Sequence, residues 1–259
     1  MPFSIQLVNF FTESIYRLGL WLFRYRLSHS EIETLQNLSR YYQVLKPEHQ
    51  KEFRGKLSYI LTTKKFIPRG GLTEITSEMK ILIGATIVQV TFGLPRVSLS
   101  HFSKILVYPD RYISTISQAY HRGEVNPRLG IIVLSWPCFI EGFIDETDGI
   151  NLGIHEVAHA LKLENRIRSN DEFNFLNPQL WRSYEELAQR EMNLIQTGGS
   201  DFFRKRGAEN EHEFFAVALE NFFERPEQFK AKKPELYSVL VNLLIQDPIF
   251  LKSARRNSS

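Results

Sequence analysis

The chain has 259 residues, 43% of them hydrophobic and 24% charged, with a formal net charge of +3. That is enough apolar material for a sizeable core and too balanced a composition for a disordered chain. It also excludes the dense Lys/Arg stripe of a nucleic-acid binder, so no nucleic-acid partner is expected.

At the N-terminus, Phe3 to Phe23 is rich in apolar residues, but Gln6, Asn9, Glu13, Arg17 and Arg24 recur at helical spacing. The stretch reads as an amphipathic helix, too polar to span a membrane and without the cleavage pattern of a signal peptide. Packing on its own domain or on a partner is favoured over lying on a membrane surface. Ser30 to Tyr42 and Glu48 to Thr63 have helical apolar spacing, with Pro47 suited to a first turn. Arg69-Gly70-Gly71 marks a turn, and Ser77 to Leu94 is apolar all round, as a central core helix is.

Strand signals follow. Lys104 to Tyr108 ends at Pro109-Asp110, and Gly130 to Ser135 ends at Trp136-Pro137. The only cysteine, Cys138, lies just beyond in an apolar run. It reads as a buried structural thiol, rules out an intrachain disulfide, and fits a reducing compartment, the cytoplasm. Helical patterning returns from Gly149 through Leu163, then over Gln179 to Gln196, Glu211 to Glu224 and Pro234 to Gln246. Helices, a small sheet and helices again make an α+β chain, not an alternating doubly wound one.

The chemistry is concentrated in His155-Glu156-Val157-Ala158-His159. On a helix, residues four apart share a face, so both imidazoles reach one tetrahedral zinc ion. Glu156, next to the first ligand, is placed to take a proton from an attacking water as general base. Chance yields this pattern on the order of once per hundred chains of such length. Ile154, Val157, Ala158 and Leu161 form a separate apolar back face, which makes chance a poorer account. A third protein ligand is still needed, and the other histidines are scattered. The amphipathic segment Glu211 to Glu224 offers two carboxylates on one face, Glu213 and Glu220. Residue patterning leaves both open: either could ligate, and Glu220 could instead orient a ligand histidine or face solvent.

These segments resemble the Mlc titration factor A family of zinc peptidases. The likeness runs through Ile105 to Asp110, Val133 to Trp136, His155 to Leu161, Glu213 to Pro226 and Asp247-Pro248. It covers Phe66 to Pro248 well and the helical N-terminal part more loosely. The pairing of the His motif with Glu-Phe-Phe-Ala is also similar to that of the anthrax lethal factor protease domain. The resemblance implies a mostly helical, zincin-like α+β fold with a small β-sheet, over residues 66–250. Residues 1–65 then form a helical region packed on or leading into that domain, and 251–259 a disordered tail. It implies one zinc ion held by His155, His159 and Glu213, and hydrolysis of peptide or protein substrates in an aminopeptidase-like manner. A transcriptional repressor is implied as a further partner, and a zinc-stabilised regulatory protein with little catalysis is the alternative function. Two positions depart from the family. Arg206 stands where a Tyr usually donates to the oxyanion, and is carried as a candidate catalytic residue in its place, against the plainer alternative of a solvated loop residue. Lys162 stands where an Asp usually follows the His motif, so if that Asp orients the site, this chain either lacks the orienting acid or replaces it with Asp171 or another carboxylate.

Overall fold

The computed structural model describes residues 26–113, 120–167, 172, 174–199 and 202–253. The amphipathic N-terminal stretch, Asp171 and the tail from residue 254 lie outside them.

Helix α1 (His29–Leu38) begins with a capping box, in which Ser28 and Glu31 each satisfy the other's backbone N–H. The sequence pattern extends one helix to Tyr42, but the structure breaks it at Ser39 and starts α2 (Arg40–Val44). Ser39 is extended there (φ −102°, ψ 97°) and its hydroxyl accepts from the Tyr42 amide, so one residue ends the first helix and caps the second. Helix α3 (Pro47–Thr63) has its proline in the first turn, where no N–H is needed. Helix α4 (Ser77–Thr91) is buried over nearly its whole length, as its uniform hydrophobicity requires. Thr86 and Thr91 satisfy their buried hydroxyls on the carbonyls one turn back.

Strands β1 (Lys65–Pro68), β2 (Lys104–Tyr108), β5 (Gly123–Asn126) and β6 (Ile131–Ser135) form one sheet in the order β1-β2-β6-β5. β1, β2 and β6 run parallel, and the edge strand β5 runs antiparallel to β6. A short ribbon pairs β3 (Tyr112–Ile113) with β4 (Tyr120–His121). Trp136-Pro137 ends β6 and at once opens α5 (Trp136–Ile144), because proline fits a first helical turn.

Helix α6 (Leu152–Glu164) follows, then α7 (Pro178–Gln196), a 3₁₀ turn (Lys205–Ala208), α8 (Glu211–Glu224), α9 (Pro226–Lys232), α10 (Pro234–Leu244) and α11 (Pro248–Ser253). The last helix thus reaches three residues into the stretch read as a tail. The order is α+β and mostly helical. Helices α1 to α3 contribute Leu35, Tyr42, Phe53, Leu57 and Ile60 to the same buried cluster as α6 and α8. Among the described residues no helix is long and apolar enough to cross a membrane.

The position of α6 matters most. It packs on α4, α5 and α8 and lies against β5 and β6. Ile154, Val157 and Leu161 are buried on its back face, each contributing roughly 1.5–3 kcal/mol. Gly153 permits the close approach: a Cβ there would stand 2.5 Å from the Phe139 ring of α5.

Candidate active site

Two capped helix starts aim the site. The Asn151 side chain accepts from the Ile154 amide at 3.0 Å and fixes the first turn of α6, one residue before His155. The Asn210 side chain accepts from the His212 and Glu213 amides at 2.9 and 3.0 Å and fixes the first turn of α8.

The packed helices bring His155, His159 and Glu213 to one point. The two Nε2 atoms are 3.1 Å apart. Glu213 Oε2 lies 3.3 Å from His155 Nε2, and Glu213 Oε1 lies 3.4 Å from His159 Nε2. These three side chains can hold a metal ion. Glu220, the other carboxylate that the helix pattern left open, is fully buried on the opposite side of His155, with Oε1 3.3 Å from Nδ1. The two glutamates thus meet different nitrogens of one imidazole.

Charge states follow from these contacts. Burial alone would lower the His155 pKa, but the Glu213 and Glu220 carboxylates outweigh it and lift it to about 9 in the metal-free protein. A bound metal displaces that proton. Burial pushes Glu213 up, yet hydrogen bonds with His155, His159 and Arg206 hold it well below the usual carboxylate range. Glu156 is buried next to His155, and burial raises its pKa against the opposing pull of His155 and His159. A carboxylate raised in this way is a stronger base.

Arg206 sits in the 3₁₀ turn just before α8, with its side chain 51% exposed and Nε donating to Glu213 Oε2 at 2.5 Å. It therefore touches a candidate ligand rather than pointing wholly into solvent. Lys162 lies three residues beyond His159 on α6 and is engaged elsewhere. It is buried over the Trp181 ring, 5.5 Å from its centroid, and donates to the Glu211 carbonyl at 3.3 Å. Burial lowers its pKa to about 8. It ties α6 to the start of α8, a structural task unlike the orienting one expected of an acid there.

Two contacts had no signal in the sequence. Gly123 of β5 lies against the base: a Cβ there would stand 2.6 Å from Glu156 Oε1. Arg204 donates through Nη2 to both Glu220 oxygens, at 2.9 and 2.7 Å. The centre opens into a cleft of about 540 Å³, lined by Arg111, Tyr120, Arg122, Ile150, Arg204 and Arg206 beside His155 and Glu156. Cys138 is buried in its wall, where its sulfur accepts from Arg122 Nε at 3.3 Å.

A mostly helical α+β chain with a metal-competent His-His-Glu centre is of the metallopeptidase class, and comparison with known proteins agrees. Residues 16–244 match the family described as glucose-regulated metallo-peptidase M90, and the chain belongs to that family. Mlc titration factor A of Yersinia pestis is 28% identical over 219 residues, covering 78% of this chain and 79% of its own. The protein of that name from Yersinia pseudotuberculosis aligns equally well, at 28% over 219 residues. An uncharacterised protein of Synechocystis is 26% identical over 227 residues, covering 81% of each chain.

Proposed function

We propose that this protein is a zinc-dependent peptidase that hydrolyses peptide bonds with Glu156 as general base. The observation that carries the reading is the convergence of the donor groups: the two imidazole Nε2 atoms stand 3.1 Å apart, with one Glu213 oxygen 3.3 Å from the first and its other oxygen 3.4 Å from the second. Donors about 2.0–2.1 Å from a tetrahedral zinc stand roughly 3.3 Å from one another. Two imidazoles and a carboxylate are also the donor set of catalytic zinc sites, which keep a position open toward substrate.

Zinc held there supplies Lewis acidity toward a peptide carbonyl and toward the attacking water. The rest falls to the chain's own residues. Glu156, desolvated beside His155, accepts the water proton and then delivers it to the leaving amine. Arg206 keeps Glu213 in place through Nε. Its remaining N–H groups are donors for the oxyanion, or for a substrate carboxylate close to the scissile bond. Aminopeptidase-like turnover is the substrate class that the family likeness suggests.

A second reading keeps the zinc and gives the protein a binding role, with a transcriptional repressor as partner. The name Mlc titration factor A, borne by the Yersinia relatives, favours it, as does an arginine where the family has its oxyanion tyrosine. An intact buried base favours hydrolysis, since a purely structural site has no need of Glu156.

The test joins metal analysis of the purified protein to turnover of a panel of aminoacyl and peptide substrates. Glu156→Gln is expected to keep zinc and fold and to lose ~10²–10⁴-fold in rate, because the amide cannot take the proton. Wild-type rates in that variant would sink the assignment. Zinc at one per chain with no turnover of any substrate would select the binding role.

A further inference from the structure

Glu220 has no exposed surface, and a carboxylate buried this deeply is retained only with partners. Its Oε1 accepts from the Asn151 amide at 3.2 Å and lies 3.3 Å from His155 Nδ1. A cation also holds it: Arg204, whose Nη2 bridges both oxygens. Arg204 is firmly based. Phe202 and Phe203 before it are buried, Phe203 against Phe214 of α8, and the Gly207 amide donates to the Arg204 carbonyl at 2.9 Å.

Arg204 Nη2 also lies 3.3 Å from His155 Nδ1. The imidazole therefore stands between a carboxylate and a guanidinium that ask for opposite tautomers. A donor to Nδ1 would leave the ring proton on Nε2, the atom that faces Glu213 and His159, and Nε2 could not then ligate. An acceptor at Nδ1 puts the proton there and leaves the Nε2 lone pair free. The distances decide between them. Nη2 is closer to both Glu220 oxygens, at 2.9 and 2.7 Å, than to the imidazole. A charge-assisted bond to a carboxylate is also the stronger use of its hydrogens.

We propose that Arg204 is a positioning residue of the metal centre: by pinning Glu220 it holds His155 in the Nδ1–H tautomer that presents Nε2 to the metal. The proposal rests on the zinc-ligand reading above. It makes a prediction opposite in sign to simple Coulomb repulsion. A cation beside a divalent ion should weaken metal binding, so its removal should tighten it. A residue that orients a ligand through its partner should, on removal, loosen it.

The test is zinc affinity, measured by competition with a chromophoric chelator, in the wild type, Arg204→Gln, Arg204→Lys, Glu220→Gln and the Arg204→Gln/Glu220→Gln double variant. Arg204→Gln is expected to weaken zinc ~10–100-fold, the usual range for partners behind a ligand. Arg204→Lys should recover part of the loss. The double variant should bind no more weakly than Glu220→Gln alone, since both changes act through one contact. The visible spectrum of the cobalt-substituted protein should shift in Arg204→Gln. Affinity unchanged or tightened in Arg204→Gln overturns the proposal, as do losses that multiply in the double variant. If the Gln variant does not fold, Arg204→Lys alone decides: its shorter, mobile ammonium should leave zinc binding weaker than wild type, and equal or tighter binding overturns the proposal. A wild type that binds zinc and cleaves nothing refutes the peptidase reading and leaves the affinity order to judge Arg204. A wild type that binds no zinc overturns both.

Discussion

Helix α8 carries Glu213 in its first turn and Glu220 and Glu224 in its last two, at spacings of seven and four, so the three carboxylates share one face. The two ends of that face behave differently. At the first turn, burial raises the Glu213 pKa, but His155, His159 and Arg206 bring it far below the ordinary range. At the last turn, burial pushes Glu224 up to about 8. There the donors among the described residues are the neutral Asn151 side chain and Gly149 amide, and the charges of Asp148 and Glu220 add to the rise. The same side chain on the same helix face is thus ionised and open to a metal at one end, and protonated at neutral pH at the other. Neighbouring helices and loops set this, and the pattern along α8 does not.

The sharpest way to break the comparison is Glu213→Ala. It should lower zinc affinity by more than the ~10–100-fold typical of a partner behind a ligand, and remove turnover with it. Full zinc occupancy in Glu213→Ala would move the third ligand elsewhere, with Glu220 the other carboxylate of α8 near His155.

Arg206→Ala probes the cation at the first turn. If Arg206 stabilises the transition state, kcat should fall by ~10²–10³ at unchanged zinc content. Loss of zinc alongside kcat would instead restrict Arg206 to holding Glu213, and a kcat within about twofold of wild type would deny it either role. Arg206→Tyr then asks whether the family's usual residue restores or exceeds the native rate.

Gly123→Ala tests the opposite wall without touching a charge. A Cβ there would sit 2.6 Å from Glu156 Oε1, and the carboxylate must move to admit it. Misplacing a reacting group by about an ångström costs on the order of 10²-fold, so kcat should drop by about that much while zinc stays bound. An unchanged kcat would mean that the base tolerates displacement.

Much of this centre could be read from the chain, for a definable reason. His155, Glu156 and His159 lie within one helical turn, where spacing fixes geometry. Glu213 and Glu220 share a face seven residues apart, so choosing between them needs the relative placement of two helices. The family likeness pointed to Glu213, and the packing of α6 on α8 places Glu220 against the other imidazole nitrogen. Arg204 and Gly123 act across contacts between distant segments, and no local pattern marks them. The fold divides in the same way. The long apolar helices and the strands β2 and β6 announce themselves, whereas β1 and β5 are short and polar, with Lys65, Glu124 and Asn126 among their residues. Helix α5 hides behind Trp136-Pro137, which ends a strand and starts a helix with the same two residues.

The remaining expected effect lies at the far end of α8 and concerns stability, not turnover. Glu224 has an ordinary pKa of 4.5 when exposed and about 8 when folded, so the folded chain keeps a proton that the unfolded chain releases between those values. A folded state that binds more protons than the unfolded one loses stability as pH rises. The contribution is therefore fully present below pH 4.5, declines through the window, and is gone above about 8. Glu224→Gln cannot release a proton, so the part of the pH dependence that comes from this residue should vanish. The amide has a cost of its own. Glu224 accepts from Gly149 N at 3.0 Å and from Asn151 Nδ2 at 3.0 Å, and glutamine can accept through only one atom. The variant should therefore melt below the wild type at the acidic end of the window and gain on it steadily as pH rises. A shift from 4.5 to about 8 corresponds to about 5 kcal/mol, so at ~2–4 °C per kcal/mol the relative gain should be on the order of 10 °C in a thermal melt. Parallel curves for the two proteins would mean that Glu224 is already ionised in the folded state, and the contrast between the two ends of α8 would fail.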